Sequence, residues 1–485
     1  MVINNPFKPK QPADPAEDIL LTSVTPLTVP AMVADVSAKF GSKIAYQEKQ
    51  GARWHTVTFD ETWRQAQEFA AGLIGLGHQH GDRVAIIAEN SPSWAIAYYG
   101  IVAAGGVAVP LYVELKSAEI EESLKGSGTR IAVVSAKVLE RLGGSVPGAE
   151  TMIVVGGTEK RAGSPPGFMR RGRAGVFPFD QLIEQVTPES RATLESRHVA
   201  PDDLASIVYT SGTTGGMKGV TLTHKNFMSN VESIRRTIEV DEHDRIVMVL
   251  PLHHAFPFVV FLVGFSIGGE VTFENDLLRV RDRLEEAKPT IFLGVPALFE
   301  LMYRAIVQRI ESEGRLPIFE RGLRVVDVAK RRTGVNLGRL VFRELHQRLG
   351  GNIRFLLSGG AALKPDVALQ YFRLGLPLIQ GWGMSEASPV IAVQRWVPRK
   401  FFFSNYYEEH AGSVGPALEG VEVGLIDVPE KEIYVHLHGE GELVARGPNV
   451  FPGYWHAEEE TRAAMVGGWL RTGDLGHIDE EGNVW

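Results

Sequence analysis

The chain has 485 residues, of which 44% are hydrophobic and 22% are charged, and its formal net charge is -8. A chain of this length and composition is typical of a folded globular protein with several packed subdomains, not of a disordered one. The negative charge argues against a nucleic-acid partner, and the absence of cysteine excludes disulfides, thiolate metal sites and a cysteine nucleophile.

The first part of the chain is predicted to alternate helices and strands behind a loose arm. Residues 1–30 are polar and proline-rich and lack the apolar segment of a signal peptide or membrane anchor. The string "TFDETWRQAQEFAAGLIGLG" (58–77) has apolar residues at helical spacing, with Asp60 as its predicted N-cap. The string "DRVAIIAEN" (82–90) indicates a buried strand, and a second helix, glycine and strand follow in residues 92–112.

Short apolar runs between helical segments recur in the central part of the chain. Such runs are typical of strands in largely parallel sheets that helices cover on both faces. They are "GGEVTF" (268–273), "PTIFLGV" (289–295), "NIRFLLSGG" (352–360) and "LPLIQGWG" (376–383). The uncharged stretch 247–269 is long enough to cross a bilayer, but the prolines and histidines near its start favour a buried strand, a turn and a helix.

The texture of the sequence changes after about residue 404, where short strands and turns without long helices are predicted. We therefore expect paired α/β subdomains over about residues 31–403 and a smaller β-rich subdomain over about residues 404–485. The segment "GTEKRAGSPPGFMRRGRAG" (157–175) is rich in glycine, proline and arginine and is predicted to be a surface loop.

One loop between two β-type runs is suited to hold a polyphosphate. Residues 210–219 combine four glycines, which free the backbone, with four hydroxyl side chains and one cation, Lys218. Exposed backbone N–H groups beside a cation suit a polyphosphate, although an isolated string of this kind is more often a plain turn. The loop is not the P-loop of kinases and GTPases, because Met217 and Gly219 stand where that pattern requires glycine and a serine or threonine.

The string "YTSGTTGGMKGV" (209–220) resembles the signature loop of the adenylate-forming superfamily, with Met217 in place of the usual proline. Other strings that resemble motifs of this superfamily follow in family order. They are "PLHHAF" (251–256), "LSGGAAL" (357–363), "GWGMSEASPV" (381–390), "GELVARGPNVFPGYW" (441–455) and "GWLRTGDLGHIDEEGNVW" (468–485). The helical segment between "PALFELMYRAI" (296–306) and "LSGGAAL" is similar to that of the long-chain acyl-CoA synthetase branch.

The resemblance covers essentially the whole chain and implies a fold. It implies that residues 1–485 are the AMP-binding large domain of an acyl-CoA synthetase, an α/β domain with two mostly parallel sheets sandwiched by helices and a small distorted β-barrel subdomain. The sequence ends at Trp485, inside the last motif, so we expect that the family's small C-terminal domain lies outside it.

The resemblance also implies a reaction. A fatty acid of medium to long chain would react with ATP and Mg²⁺ to give acyl-AMP and pyrophosphate, and coenzyme A would then take the acyl group and release AMP. The chain has no cysteine, so the thiol that accepts the acyl group has to come from another molecule. The absence of cysteine also favours a reducing, cytoplasmic setting.

The phosphates and the metal are assigned by this resemblance to two motifs. Glu386 is the implied Mg²⁺ ligand, since magnesium prefers one or two carboxylates together with phosphate oxygens and water. Taken alone, "MSE" (384–386) favours a helix N-cap followed by an acidic first turn. The implied phosphate-binding residues are Thr210, Ser211, Gly212, Thr213, Thr214, Gly215, Lys218 and Ser385.

The remaining motifs are implied to hold the nucleoside and the acyl group. Asp474 is the implied acceptor for ribose hydroxyls, and Trp382 is implied to stack on adenine. His254 matches the position that flanks the carboxylate, so Lys218, Glu386 and His254 are the implied catalytic residues. Phenylalanines 256 and 258 would line the acyl tunnel or pack in the core. The other implied nucleotide-site residues are Gly359, Gly360, Ala361, Gly381, Gly383 and Met384.

Several alternatives stay open. The string "GMSEA" (383–387) nearly matches the nucleophile elbow of a serine hydrolase, but it ends in alanine and Pro389 interrupts the helix that should follow. The pair His253 and His254 suggests a metal, but adjacent residues on a strand point to opposite faces and no third ligand is evident. A fatty-acyl-AMP ligase would deliver to an acyl carrier protein, and a nucleotide-binding relative would not catalyse at all. We expect at most peripheral membrane association, and we keep a homodimer as an alternative to a monomer.

Overall fold

The structure is a computed structural model that describes residues 27–156, 175–211 and 217–485, without the side chains of residues 211 and 398–400. Segment 157–174 and most of the predicted N-terminal arm lie outside the described residues. The described end of that arm already belongs to a helix, which begins at Val29.

Helices and strands alternate along most of the chain and are numbered here in chain order. The helices are α1 (Val29–Phe40), α2 (Phe59–Gly75), α3 (Pro92–Ala103), α4 (Ser117–Ser127), α5 (Ala136–Arg141), α6 (Phe179–Glu184), α7 (Pro188–Glu195), α8 (His224–Thr237), α9 (Ala255–Ser266), α10 (Val280–Ala287), α11 (Pro296–Ser312), α12 (Leu316–Thr333), α13 (Gly338–Val341), α14 (Arg343–Arg348), α15 (Pro365–Arg373), α16 (Pro398–Phe403), α17 (Tyr406–Glu409), α18 (Val435–His438) and α19 (Glu458–Ala464).

The strands are β1 (Ile44–Gln50), β2 (Arg53–Thr58), β3 (Arg83–Ile87), β4 (Val107–Pro110), β5 (Ile131–Ser135), β6 (Thr151–Val155), β7 (Gly175–Pro178), β8 (Leu204–Ser211), β9 (Met217–Thr223), β10 (Arg245–Met248), β11 (Glu270–Phe273), β12 (Ile291–Gly294), β13 (Phe355–Ser358), β14 (Leu378–Gly383), β15 (Val390–Val393), β16 (Gly415–Pro416), β17 (Glu422–Ile426), β18 (Glu440–Arg446), β19 (Gly453–Tyr454), β20 (Met465–Val466), β21 (Trp469–His477) and β22 (Asn483–Val484).

Two eight-stranded sheets organise the α/β part. The first has the order β15-β14-β13-β12-β10-β11-β1-β2 and the second β19-β9-β8-β4-β3-β5-β6-β7. The inner strands of both sheets pair in parallel, whereas β2, β9, β15 and β19 add antiparallel edges. The third sheet, β17-β18-β21-β20, is antiparallel and forms the β-rich half-barrel. The predicted fold class is therefore confirmed.

The four apolar runs predicted as strands form β11, β12, β13 and β14 of the first sheet. Strands β11 and β12 pair in parallel with β10, and β13 pairs in parallel with β12 and β14, because helical structure between these strands returns the chain to the same end of the sheet. Only the pairing of β14 with β15 is antiparallel among these strands. The uncharged stretch 247–269 forms the end of β10, a turn and α9, as predicted. Among the described residues, no helix combines the length and apolar character needed to cross a membrane.

Helices α3 and α9 are almost entirely buried. Helix α3 contacts β1 of the first sheet and β3 and β4 of the second, so it lies between the two sheets. A helix that is apolar on all sides is stable only where protein covers all of it. Aromatic rings fill this layer, as in the stacked pairs of Tyr46 with Phe261 and Phe265.

The predicted N-cap of α2 is wrong by two residues. Helix α2 is capped by Thr58, whose hydroxyl accepts from the backbone N–H of Glu61 at 3.2 Å, while the Glu61 carboxylate accepts from the Thr58 N–H at 2.9 Å. This reciprocal pair satisfies two N–H groups that a helix end leaves free. Asp60 instead lies in the first turn, where its negative charge is favourable near the positive end of the helix dipole.

Three of the described histidines are buried, and in two of them, His78 and His224, burial has a large effect on the pKa. Burial lowers the pKa of His78 and of His224 to about 4, from an ordinary value of 6.5. The ring nitrogens of His78 have no hydrogen-bond partner among the described residues, and Nδ1 of His224 accepts from the backbone N–H of Val29 at 3.3 Å. Both rings are therefore neutral in the folded protein at neutral pH.

We expect the free energy of unfolding to fall as the pH is lowered from about 6.5 towards 5, by roughly 2 kcal/mol for each of these two histidines. The unfolded chain binds a proton at each imidazole in this range and the folded chain does not, so their full contribution is present only above about pH 6.5. Urea unfolding at a series of pH values measures this slope. His78→Leu is expected to reduce the change in unfolding free energy with pH. The control His436→Gln, at an exposed position, is expected to leave this change as it is in the wild type. Equal slopes in the wild type and His78→Leu would contradict the assignment.

Candidate active site

The loop predicted to hold phosphate connects β8 and β9 of the second sheet. These strands form an antiparallel hairpin in which Thr210 pairs with Lys218 and Ser211 with Met217. The predicted phosphate-site residues Gly212, Thr213, Thr214 and Gly215 lie outside the described residues. The side chain of Lys218 is half-buried beside the loop.

Glu386 lies in a short 3-10 turn, Ser385–Ala387, that follows β14. Its residue exposure is only 7%, and its Oε1 accepts a hydrogen bond from the Tyr454 hydroxyl at 2.6 Å. Burial, and then the hydrogen bond and charge of Glu386, raise the pKa of Tyr454 well above its usual value, so the phenol stays protonated and donates. The described residues supply no further donor to the Glu386 side chain, which leaves Oε2 available.

Tyr454 also connects Glu386 to the hairpin. The Lys218 Nζ lies 5.4 Å from the centroid of the Tyr454 ring, and strand β19 places Tyr454 opposite Val220 of β9. Sequence reasoning missed this tyrosine, although it stands in the quoted string "GELVARGPNVFPGYW". The resemblance gave it no role, and nothing in the local pattern shows a contact with a residue 68 positions earlier.

Backbone hydrogen bonds fix the segment that carries Tyr454. The N–H of Phe451 donates to the Glu386 carbonyl at 2.8 Å, and the N–H of Trp455 donates to the Gly219 carbonyl at 2.7 Å. The hydroxyl of Thr221 donates to the Gly453 carbonyl at 2.6 Å. The 3-10 turn, the hairpin and the segment 451–455 therefore form one hydrogen-bonded unit.

The approach to Glu386 depends on a glycine. A Cβ added at Gly383 would lie 1.9 Å from the carbonyl oxygen of Pro389, which accepts from the Met384 N–H at 2.9 Å. No other residue type leaves room for this close backbone contact. Gly381 pairs with Val393 in the same hairpin. A nucleophile elbow requires an α-helix directly after the serine. The short 3-10 turn that contains Ser385 is followed by strand β15 instead, which agrees with the argument against a serine hydrolase.

Trp382 and Asp474, which were predicted to contact the adenine and the ribose, contact each other. The indole Nε1 of Trp382 donates to Oδ2 of Asp474 at 2.7 Å, although 92 positions separate them in the sequence. Asp474 follows Gly473, whose φ of 75° lies in the left-handed region, and the Gly473 N–H donates to the Glu442 carboxylate at 3.1 Å. The indole ring and the carboxylate thus lie side by side near the C-terminal end of β14.

The glycines after β13 border the predicted acyl side of the site. A Cβ added at Gly359 would lie 2.8 Å from the Phe256 ring, so this half-buried ring packs directly on the glycine backbone. Gly360 has a φ of 80° and Ala361 is exposed. Phe258 is 3% exposed and packs against Tyr98, with ring centroids 4.5 Å apart, which favours its role in the core.

The argument used against a metal at His253 and His254 is wrong in its premise. These residues lie in the turn before α9, not on a strand, and their ring centroids are 4.0 Å apart. Burial, and then the neighbouring His254, lower the pKa of His253 to about 3, and burial lowers the pKa of His254. Within the described ranges, no group of three or more His, Cys, Asp or Glu residues could hold a metal ion.

Comparisons with known proteins identify similar sequences over most of the chain. The family model described as "AMP-binding enzyme" matches residues 33–455. The long-chain-fatty-acid--CoA ligase FadD15 of Mycobacterium bovis is 31% identical over 474 residues, which cover 94% of this chain and 73% of that protein. The peroxisomal long chain acyl-CoA synthetase 7 of Arabidopsis thaliana is 31% identical over 437 residues, which cover 87% of this chain and 60% of that protein.

Solved structures share the fold. The inhibitor-bound N-terminal domain of FACL13 from Mycobacterium tuberculosis matches with a TM-score of 0.70 and 24% identity, covering 94% of this chain and 98% of that chain. A long-chain-fatty-acid-CoA ligase, FadD1, from Archaeoglobus fulgidus matches with a TM-score of 0.72 and 22% identity, covering 95% and 84% of the two chains.

Proposed function

This chain belongs to the AMP-binding enzyme family, and from that premise we propose that it is an ATP-dependent fatty-acid–CoA ligase. The acid and ATP form acyl-AMP and pyrophosphate, and the thiol of coenzyme A then displaces AMP to give the acyl-CoA. The observation that carries the proposal is the convergence, around residues 382–386, of a cation, a buried carboxylate and an aromatic ring paired with an aspartate.

Joining a carboxylate to ATP brings together two anions, so the site has to supply positive charge. Lys218 would contact the phosphates from the edge of the hairpin. Glu386 would hold Mg²⁺, and it fits that role because it is a buried carboxylate with one oxygen free of described donors. When bound, magnesium would neutralise phosphate charge. Tyr454 would keep Glu386 oriented through its hydrogen bond.

The nucleoside and the acid would lie on either side of the segment 381–386. Trp382 would stack on the adenine, and Asp474 would accept the ribose hydroxyls. The carboxylate of the fatty acid would lie near His254, and the low pKa of that histidine keeps it neutral at neutral pH. A neutral imidazole would orient the carboxylate by hydrogen bonding.

We propose coenzyme A as the acceptor, because one of the similar proteins is named as a fatty-acid–CoA ligase and the other as an acyl-CoA synthetase. A reducing, cytoplasmic location is proposed from the absence of cysteine. A panel of fatty acids of different chain length, assayed by pyrophosphate release with the full-length protein, tests the first step. Thioester formation with coenzyme A, compared with an acyl carrier protein, tests the second step, and light scattering distinguishes a monomer from a homodimer.

We expect Trp382→Phe to raise the KM for ATP about tenfold, because it keeps an aromatic ring but removes the hydrogen bond that orients Asp474. The matched control is Trp485→Phe, which removes a similar bond, of 2.9 Å, from the Trp485 indole to Asp479. With 2′,3′-dideoxy-ATP the two variants and the wild type should have equal KM values, since Asp474 then has no ribose hydroxyl to bind. An equal loss with both nucleotides would show that Trp382 acts on the base alone.

A further inference from the structure

A buried asparagine connects the two large sheets beside the turn that carries the histidine pair. Asn90 follows β3 of the second sheet and is 4% exposed. Its Nδ2 donates to the Leu250 carbonyl at 2.8 Å, and its Oδ1 accepts from the Leu252 N–H at 2.9 Å. Both partners follow β10 of the first sheet, 160 and 162 positions further along the chain. The carboxamide therefore uses both of its polar groups to hold the backbone of the other sheet.

The backbone around Asn90 is itself held in place. Nδ2 of Asn275, which follows β11, donates to the Asn90 carbonyl at 2.9 Å. The next residue, Ser91, caps the buried helix α3 by accepting from the Trp94 N–H at 3.1 Å. Strand pairing does not join these segments, because β3 belongs to one eight-stranded sheet and β10 and β11 to the other. Asn90 thus links the ends of three strands from two sheets.

The turn that Asn90 holds carries His254. Leu252 is 1% exposed and directly precedes His253 and His254, which lead into α9. His254 is the N-cap residue of α9, but its side chain makes no capping hydrogen bond to the described start of that helix. The position of its imidazole is therefore set by the backbone of the turn and by the His253 ring, whose centroid is 4.0 Å away.

A link of this kind matters because the site takes its parts from both sheets. Lys218, which would contact the phosphates, lies on β9 of the second sheet, whereas His254, which would orient the fatty acid, follows β10 of the first sheet. The two reacting groups have to meet at bonding distance, and a displacement of about 1 Å can cost about 10²-fold in rate. Asn90 belongs to the sheet of Lys218 and contacts the backbone that leads to His254.

We propose that Asn90 is a positioning residue for the fatty acid, because it fixes the turn 250–254, and with it His254, relative to the sheet that carries the phosphate loop. Asn90 acts through the backbone of Leu250 and Leu252 and not by contact with the acid. Loss of its carboxamide leaves a backbone N–H and a carbonyl without their partner, which is costly enough to displace the turn. The inference rests on the proposed function, since it concerns where that reaction binds the acid.

Steady-state kinetics of the full chain test the proposal, with pyrophosphate release measured for dodecanoate and palmitate. We expect Asn90→Ala to raise the KM for the acid about tenfold or more and to leave the KM for ATP within about twofold of the wild type. The two constants separate because the hydrogen bonds that join the phosphate hairpin to the turn of Glu386 do not involve Asn90. Asn275→Ala keeps the carboxamide and frees only the Asn90 carbonyl, so we expect a smaller rise in the acid KM, about threefold.

The matched control is Asn336→Ala. Asn336 is also 4% exposed, and its carboxamide also holds two backbone groups, the Phe372 carbonyl at 2.9 Å and the Gly338 N–H at 2.8 Å. Both buried-site variants should lower the thermal midpoint, but only Asn90→Ala should raise the acid KM. Hydrogen–deuterium exchange observes the turn directly, and the Leu252 amide should exchange faster in Asn90→Ala and at the wild-type rate in Asn336→Ala.

The outcomes separate this inference from the proposed function. An active wild type whose acid KM is unchanged in Asn90→Ala and Asn275→Ala would overturn the inference alone, as would an equal rise in Asn336→Ala, which would show a general loss of stability. A wild type that releases no pyrophosphate with any fatty acid would overturn the proposed function, and the role of Asn90 with it. If Asn90→Ala does not fold, Asn275→Ala decides, because Asn275 is exposed.

Discussion

Replacement of Glu386 by Gln is expected to slow acyl-adenylate formation about 10²–10³-fold, the usual loss when one electrostatic contact to the reacting charges is removed. A neutral amide is a poorer ligand for a hard dication than a carboxylate. The amide oxygen still accepts from the Tyr454 hydroxyl, so the hydrogen bond between Tyr454 and the side chain at position 386 is kept. Pyrophosphate release measured against magnesium concentration should show a large rise in the magnesium required for half-maximal rate.

Two variants make this result specific. Tyr454→Phe keeps the carboxylate and removes its hydrogen bond, so we expect a smaller rise in the magnesium requirement. Glu274→Gln is the control for losing a buried carboxylate, because Glu274 is 9% exposed and pairs with Arg283 at 2.9 Å. That variant should lose stability and retain its magnesium dependence. If Glu386→Gln responds to magnesium as the wild type does, Glu386 has another role.

Replacement of Lys218 by Ala is expected to slow adenylation by a similar factor of about 10²–10³, because the phosphates lose the cation beside the loop. The thermal midpoint should change little. Lys218 is half-buried, and its contact with the Tyr454 ring, 5.4 Å from Nζ to the centroid, is of the kind that contributes about 0.5–1 kcal/mol at exposed sites.

Steady-state kinetics with varied ATP, together with thermal unfolding, measure both quantities. Lys225→Ala is the matched control, since Lys225 is also half-buried and belongs to α8, directly after the hairpin. Lys218→Arg should restore part of the rate by returning the charge. Unchanged ATP kinetics in Lys218→Ala would refute the assignment of this loop to the phosphates.

The sequence alone was sufficient to predict individual elements and the class of fold. The runs that form β11 to β14 are short and apolar, and prolines divide the stretch 247–269 into a strand, a turn and a helix. The hydropathy of each element and the turn residues that bound it are therefore visible in the sequence. Details of single residues were less secure. Asp60 and Thr58 are both good N-cap residue types, and the choice between them depends on the residue at which β2 ends and the helix begins.

The site was predicted as a set of motifs, without the contacts between them. Hydropathy and turn chemistry are local properties, so they identify glycine-rich loops, buried strands and the carboxylate after β14. They cannot show that β19 joins the edge of β9 or that the Trp382 indole reaches Asp474, because strand pairing brings together residues that are far apart along the chain. Likewise, the ring contact of His253 with His254 depends on a turn, whereas the apolar residues before them led to the prediction of a strand. The sequence by itself determined which elements form and which residue types each loop carries. The tertiary structure decided which of those residues meet, since sheet order and the packing of helices between sheets depend on the whole chain.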